Sequence, residues 1–144
     1  MAILRWLRAA ALCVLLSPVM IVNAWGAELL VRPGDSITAA IARAQAGDTI
    51  TVTRGRYEEN LLIDKPLTLK GLDRPTINSA LKGDTIRITS PDVTIENLII
   101  ADSGDDLTAQ NAGIYIQPGA DRVTVRNCDI AYSLFGLWIE GVKD

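Results

Sequence analysis

The chain has 144 residues, of which 49% are hydrophobic but only 5% aromatic; it carries a formal net charge of −3 and has no histidine. One domain fits this length, with a narrow core of Ile, Val and Leu rather than one built on large aromatic anchors. The missing histidines remove the commonest general base and imidazole metal ligand, and the acidic balance makes the domain a poor candidate for meeting phosphates, so no nucleic-acid partner is expected.

Residues 1–26 read as a cleavable signal peptide. MAILRWLR is a short basic start, and Ala9–Val22 is apolar but short for a membrane span. Small residues at Ala24 and Gly26 suit cleavage, the alternative being an uncleaved anchor. Residues 27–144 are then the domain, exported and, in a Gram-negative host, periplasmic. The first 27 residues hold two arginines and no acid, which leaves 12 basic and 17 acidic side chains beyond them, a net of −5. Cys13 departs with the signal and Cys128 remains alone, so no internal disulfide can form.

Glu28–Val31 is a short apolar opening ended by Arg32-Pro33-Gly34. Asp35 or Ser36 can cap the start of a helix. Ile37, Ala40, Ile41 and Ala44 fall on one helical face, and Gly47 suits a left-handed end. The reading is a helix of about three turns, laid over the open end of a sheet as a cap. Thr49–Thr53 alternates Thr with Ile50 and Val52 and reads as a strand. Arg54-Gly55-Arg56 reads as a turn, Tyr57 as cover for apolar surface, and Glu58 and Glu59 as solvated.

From here the chain repeats itself. VTIENL at Val93–Leu98 returns as VTVRNC at Val123–Cys128, and TIRIT at Thr85–Thr89 returns as GIYIQ at Gly113–Gln117 and GLWIE at Gly136–Glu140. NLLID at Asn60–Asp64 and LTLKGL at Leu67–Leu72 fit the same templates. Such a period signals stacked units, here β-rich. Three rungs follow, with strands near Leu61–Ile63, Leu67–Leu69 and Thr76–Ile77, then Thr85–Ile88, Val93–Ile95 and Leu98–Ile100, then Ile114–Ile116, Val123–Val125 and Cys128–Ile130. A fourth opens at Leu137–Ile139. Prolines and glycines fall between the runs, as a hydrogen-bonded ladder requires. Ser103–Ala112 is an inserted loop at one corner, the kind of place where repeat proteins carry binding surfaces.

Few residues point to chemistry. Asn97 and Asn127 occupy equivalent places and read as a structural ladder of stacked amides, about 4.8 Å apart; substrate contact is the alternative. Cys128 aligns with Leu98 and reads as a small core hydrophobe rather than a metal or redox thiol. Asp102, Asp105 and Asp106 gather carboxylates at the inserted loop. They are the candidate ligands for a hard cation, or an acid and nucleophile pair, although their spacing matches no defined calcium loop; the alternative is a solvated loop. Arg87, Tyr115 and Arg126 should face outward.

The run VRPGDSITAAIARAQAGDTITVTRGRYEENLLIDKPLTLKGL resembles the opening of pectin-lyase-like right-handed parallel β-helix proteins. Its cap helix, Gly47–Ile50 and Arg54–Tyr57 carry the likeness. Leu61–Lys70, Arg74–Ile77 and Val93–Leu98 look closest to NosD-type proteins of the CASH-domain group. The resemblance implies an all-β fold, a right-handed parallel β-helix with a short N-terminal capping α-helix. It also implies a non-enzymatic periplasmic role: maturation of nitrous oxide reductase, with copper–sulfur centre assembly assisted by an ABC transporter (ATPase and permease), and membrane contact only through that transporter. Copper association is implied by resemblance alone. No catalytic, cofactor-binding or copper-ligating residue carries over, and no cofactor is expected in this segment. The family is longer, so the chain reads as an N-terminal fragment, with any metal ligands downstream or on a partner. The alternative on the same scaffold is a carbohydrate-active enzyme, a polysaccharide lyase or glycoside hydrolase.

Overall fold

The computed structural model describes residues 26–141. The proposed signal segment therefore lies almost wholly outside the described residues. The elements run β1 (Glu28–Val31), α1 (Ile37–Arg43), β2 (Thr49–Val52), β3 (Arg56–Glu58), β4 (Leu61–Ile63), β5 (Thr68–Gly71), β6 (Thr76–Asn78), β7 (Ile86–Ile88), β8 (Thr94–Glu96), β9 (Ile99–Ala101), β10 (Ala112–Ile116), β11 (Thr124–Arg126), β12 (Asp129–Ala131) and β13 (Phe135–Ile139). Three parallel sheets result: sheet A in the order β1-β2-β5-β8-β11, sheet B β12-β9-β6-β3 and sheet C β13-β10-β7-β4. From β2 onward the chain visits A, B and C in turn and then climbs one level. This is the expected parallel β-helix. Sheet A has five levels and the others four, so the coil starts earlier than the sequence reading placed it. Arg56, read as part of a turn, opens strand β3, because Tyr57 pairs in register with Ile77 and turns inward.

Alternation within each short strand sends one set of side chains to the interior, and the register stacks like on like. Ile50, Leu69, Ile95 and Val125 form one column. Tyr57, Ile77, Ile100 and Ile130 form a second, and Ile63, Ile88, Ile116 and Ile139 a third. Ile50, Leu69, Ile95, Ile77, Ile100, Ile63 and Ile88 are fully buried, each contributing about 1.5–3 kcal/mol. In the last turn Val125, Cys128 and Ile130 are only partly buried.

The helix caps the coil as expected but is shorter. Ser36 is the N-cap, its Oγ accepting from the Ala39 amide at 3.1 Å. The helix ends at Arg43, and Gly47, with φ +90°, lies in the turn beyond rather than at the helix end. Asp48 draws the chain out of the helix: its carboxylate accepts from the Gln45 and Ala27 amides, both at 2.7 Å. Ile37, Ala40, Ile41 and Ala44 are buried, as their spacing required. The level below secures both ends. Lys65 Nζ donates to the Ile41 and Ala44 carbonyls at 3.0 and 3.4 Å. Glu59, read as solvated, accepts from the Ile37 and Thr38 amides and the Ser36 hydroxyl at 2.8, 2.9 and 2.9 Å. It supplies acceptors for amides that a helix start leaves unpaired.

Gly71, the last residue of β5, stacks in line with Asn97 and Asn127, at which the next two levels turn from sheet A towards sheet B. A Cβ built on Gly71 would stand 2.1 Å from the Asn97 carbonyl oxygen and 2.7 Å from Pro75. Glycine is required there for close stacking of backbone on backbone.

Two outcomes follow. Gly71→Ala forces adjacent levels apart and lowers the unfolding free energy by about 2 kcal/mol or more; an unchanged denaturation midpoint would contradict the packing. Burial pushes the Glu59 carboxyl up, but the hydrogen bonds from Thr38, Ile37 and Ser36 outweigh it and hold the group below the ordinary carboxylate value. Its stabilisation is present above the unfolded-chain pKa of about 4.3 and is lost as pH falls through the lower folded value. Glu59→Gln is expected to cost about 1 kcal/mol at neutral pH and to flatten the acid limb of the stability curve. Identical acid limbs for the two proteins would refute the capping role.

Candidate functional site

The longest connection of the coil, residues 102–111, lies at a corner between sheets B and C, with residues 79–85 and 132–134 at the same corner of the neighbouring levels. Asn78, Ala101 and Ala131 are register partners, so Ser79, Asp102 and Tyr132 follow at one place in successive levels. The segments are tied together: Ser79 Oγ donates to the Asp102 carbonyl at 2.7 Å, and the Leu134 amide donates to Ser103 Oγ at 3.2 Å. The Gly104 amide donates to the Gly83 carbonyl at 2.7 Å, and the Phe135 amide to the Asn111 carbonyl at 3.2 Å. The inserted loop therefore sits on this edge as a built part of the stack.

The three aspartates do not converge. Asp102 pairs with Arg56 at 3.0 Å, reaching from the third circuit of the coil to the first. Asp106 closes its own turn, its Oδ1 accepting from the Thr108 and Ala109 amides at 2.8 and 3.1 Å, while its amide donates to Asn111 Oδ1 at 3.1 Å. Asp105 is exposed. Among the described residues no group of three or more His, Cys, Asp or Glu side chains is placed to hold a metal ion.

Asn97 and Asn127 sit one residue beyond the register pair Glu96–Arg126. Both are left-handed, with φ of 59° and 52°, a conformation asparagine tolerates better than most residues. Among the described residues no hydrogen bond joins their two side-chain amides; the backbone by itself explains the residue type. Cys128 is half-buried against the core, its Sγ 3.3 Å from the Arg126 carbonyl oxygen, and burial pushes its thiol up.

The outer faces carry charge in pairs. Arg126 meets Glu96 at 2.5 Å, Arg122 forks onto Asp92 at 2.7 Å, and Arg74 reaches Asp129. On sheet C, Arg87 donates through Nε and Nη2 to Asp84 Oδ2 at 2.8 and 2.5 Å, and its guanidinium lies 4.9 Å over the Tyr115 ring. Asp84 Oδ1 in turn accepts from the Ala112 amide at 2.9 Å. Tyr115 donates to Glu140 at 2.5 Å, and that bond, with burial, pushes the phenol up. Tyr115 stands in register with Arg87 on the outer face of sheet C and is only 8% exposed, with the Arg87 guanidinium over its ring. Sequence reading missed most of these partnerships because they join residues from different levels; Arg87 and Asp84, three positions apart, are the local exception.

Because the Cys128 thiol is pushed up, little of it is thiolate at neutral pH. Its alkylation by iodoacetamide, followed by peptide mass, is expected to run about tenfold slower in the folded than in the unfolded chain at pH 8. Equal rates would show an accessible, activated thiol.

No protein-family model matches the chain. It is 28% identical over 109 residues to a probable ABC transporter binding protein NosD of Stutzerimonas stutzeri, covering 76% of this chain and 25% of that protein. It is 29% identical over 98 residues to a protein of the same name from Pseudomonas aeruginosa, covering 68% of this chain and 23% of that protein. A shorter Pseudomonas aeruginosa protein of that name is 26% identical over 113 residues, 78% of this chain and 97% of its own length. The matches thus span about a quarter of the two longer relatives. Parallel β-helix and matches together bear out the resemblance read from the sequence: the chain is similar to NosD-type β-helix proteins over about three quarters of its length.

Proposed function

We propose that the chain serves as a NosD-type accessory protein outside the cytoplasm, docking an ABC transporter while the copper–sulfur centre of nitrous oxide reductase is assembled. The observation that carries this reading is its similarity to proteins named for binding an ABC transporter. The surface is consistent with docking rather than turnover. Asp102 is neutralised by Arg56, and Asp106 is consumed by backbone amides, so the loop offers no acid and nucleophile pair of the kind glycosidases use. Copper is the cargo of the proposed assembly, and the described residues do not fit copper ligation. The chain lacks histidine, both methionines lie in the first 20 residues, and Cys128 is a half-buried neutral thiol. The role assigned to this segment is scaffolding.

Deletion of the gene in its host is expected to leave the reductase polypeptide present but without its copper–sulfur centre, with the centre restored by the gene in trans. A fully metallated reductase in the deletion strain would refute the maturation role.

A further inference from the structure

A carboxylate taken out of water is stabilised by amide donors, and more strongly by a cation beside them. The tetrapeptide Gly-Asp-Thr-Ile occurs twice, at Gly47–Ile50 and Gly83–Ile86, and its aspartate is buried both times. Asp84 accepts from the Ala112 amide and holds a cation, Arg87. Asp48 accepts from the Ala27 amide through Oδ1 and from the Gln45 amide through Oδ2, both at 2.7 Å. Among the described residues no Lys or Arg pairs with it. The charged groups of the elements around it are engaged elsewhere or exposed. Glu28 accepts from the Thr51 hydroxyl, Lys65 donates to the Ile41 and Ala44 carbonyls and stands 3.9 Å from Asp64, and Arg43 is exposed. Ala27 is where the coil takes hold of the chain: its nitrogen donates to Asp48, and its carbonyl accepts from the Thr49 amide at 2.8 Å. Among the described residues no hydrogen bond reaches Gly26. A Cβ there would stand 1.9 Å from the Gly47 carbonyl oxygen, so residue 26 is crowded against the turn without being bonded to it.

Resting on the export signal read in residues 1–26, we infer that the Gly26–Ala27 bond is a processing site whose cleavage gives Asp48 its missing cation, the new N-terminal ammonium of Ala27. Ala24 and Gly26 place small residues three and one positions before that bond, as export peptidases require. The peptidase acts on the chain before it folds. Water adds across the amide: the Gly26 carbonyl carbon gains the oxygen and leaves as a carboxylate. The Ala27 nitrogen keeps the electron pair of the broken C–N bond and gains both protons, and the ammonium is the main form at neutral pH. It then stands where the Ala27 amide stands, 2.7 Å from Asp48 Oδ1, with charge now on both partners. Processing also removes the crowded residue. Because the same carboxylate holds the Gln45 amide just beyond the helix, the new ion pair joins the first strand to the cap.

The test exports the full chain from a Gram-negative host and reads the N-terminal peptide of the purified product by mass. The expected first residue is Ala27. Its α-amine is then labelled with acetic anhydride at pH 8. Pairing keeps the amine protonated, so it is expected to react about tenfold more slowly in the folded protein than after unfolding. In Asp48→Asn the folded and unfolded rates are expected to agree within about twofold, and that result supports the inference. Equal slowing in Asp48→Asn shows that burial rather than the carboxylate shields the amine, and overturns it. Since Asp48→Asn also loses an acceptor and can fail to fold, the wild type carries a second reading, the pH dependence of its labelling. Pairing lifts the midpoint above the ordinary α-amino range of about 7.7–8.0, whereas burial without a partner lowers it. A midpoint inside or below that range overturns the inference. A product that starts at Trp25 overturns the inference and leaves export standing. A product that keeps Met1 overturns the inference and the cleaved signal with it.

Discussion

Everything in this molecule depends on the in-register parallel ladder between successive levels. Each strand of three to five residues is too short to hold a fold alone. Its backbone groups are satisfied by the level above and the level below. Register also decides direction: a slip of one residue would turn every buried isoleucine out to solvent. The inward columns of Ile, Leu and Val therefore secure the register, and the register fixes where every other side chain stands on the surface.

That constraint explains how residues far apart in sequence become partners. Arg56 and Asp102 are 46 positions apart, and Arg74 and Asp129 are 55 apart, yet each pair meets on the outer surface because the coil returns to the same face. Exposed pairs of this kind contribute little singly, but they neutralise the charges that alternation places outside. The ends of the ladder need different treatment. At the first level a two-turn helix covers the interior, secured at one end by Glu59 and at the other by Lys65, both from the level beneath. A helix with so narrow an apolar stripe has no stability of its own; the coil holds it in place as much as it covers the coil.

The sequence reading was strongest where a residue type repeats at a fixed spacing. The Val93–Leu98 and Val123–Cys128 copies became consecutive levels of sheet A with the corner that leads into sheet B, and Leu61–Ile63, Thr85–Ile88 and Ile114–Ile116 became levels of sheet C. It was weakest where a side chain acts across levels. Glu59 looked solvated because its helix partners lie 21 and 22 positions earlier, outside any local pattern. Arg56 looked like part of a turn because Arg and Gly flank it, and only pairing with Thr76 makes it a strand residue. Gly71 looked like an interruption of the Asn series, when the Asn97 carbonyl above leaves no room for a side chain. The Asp102–Asp106 run was legible as an acidic loop but not as three separate tasks, since those tasks depend on Arg56 and on the path of the loop.

The account rests on stacking by level, and methyl nuclear Overhauser spectroscopy on isoleucine-labelled protein reads it directly. Ile63, Ile88, Ile116 and Ile139 occupy one register column, with neighbours about 4.8 Å apart along the coil axis. Cross-peaks are predicted from Ile63 to Ile88, from Ile88 to Ile116 and from Ile116 to Ile139, and none from Ile63 to Ile116, which lie two levels apart. Direct Ile63–Ile116 contacts, or Ile88 contacting neither neighbour, would contradict the parallel in-register coil.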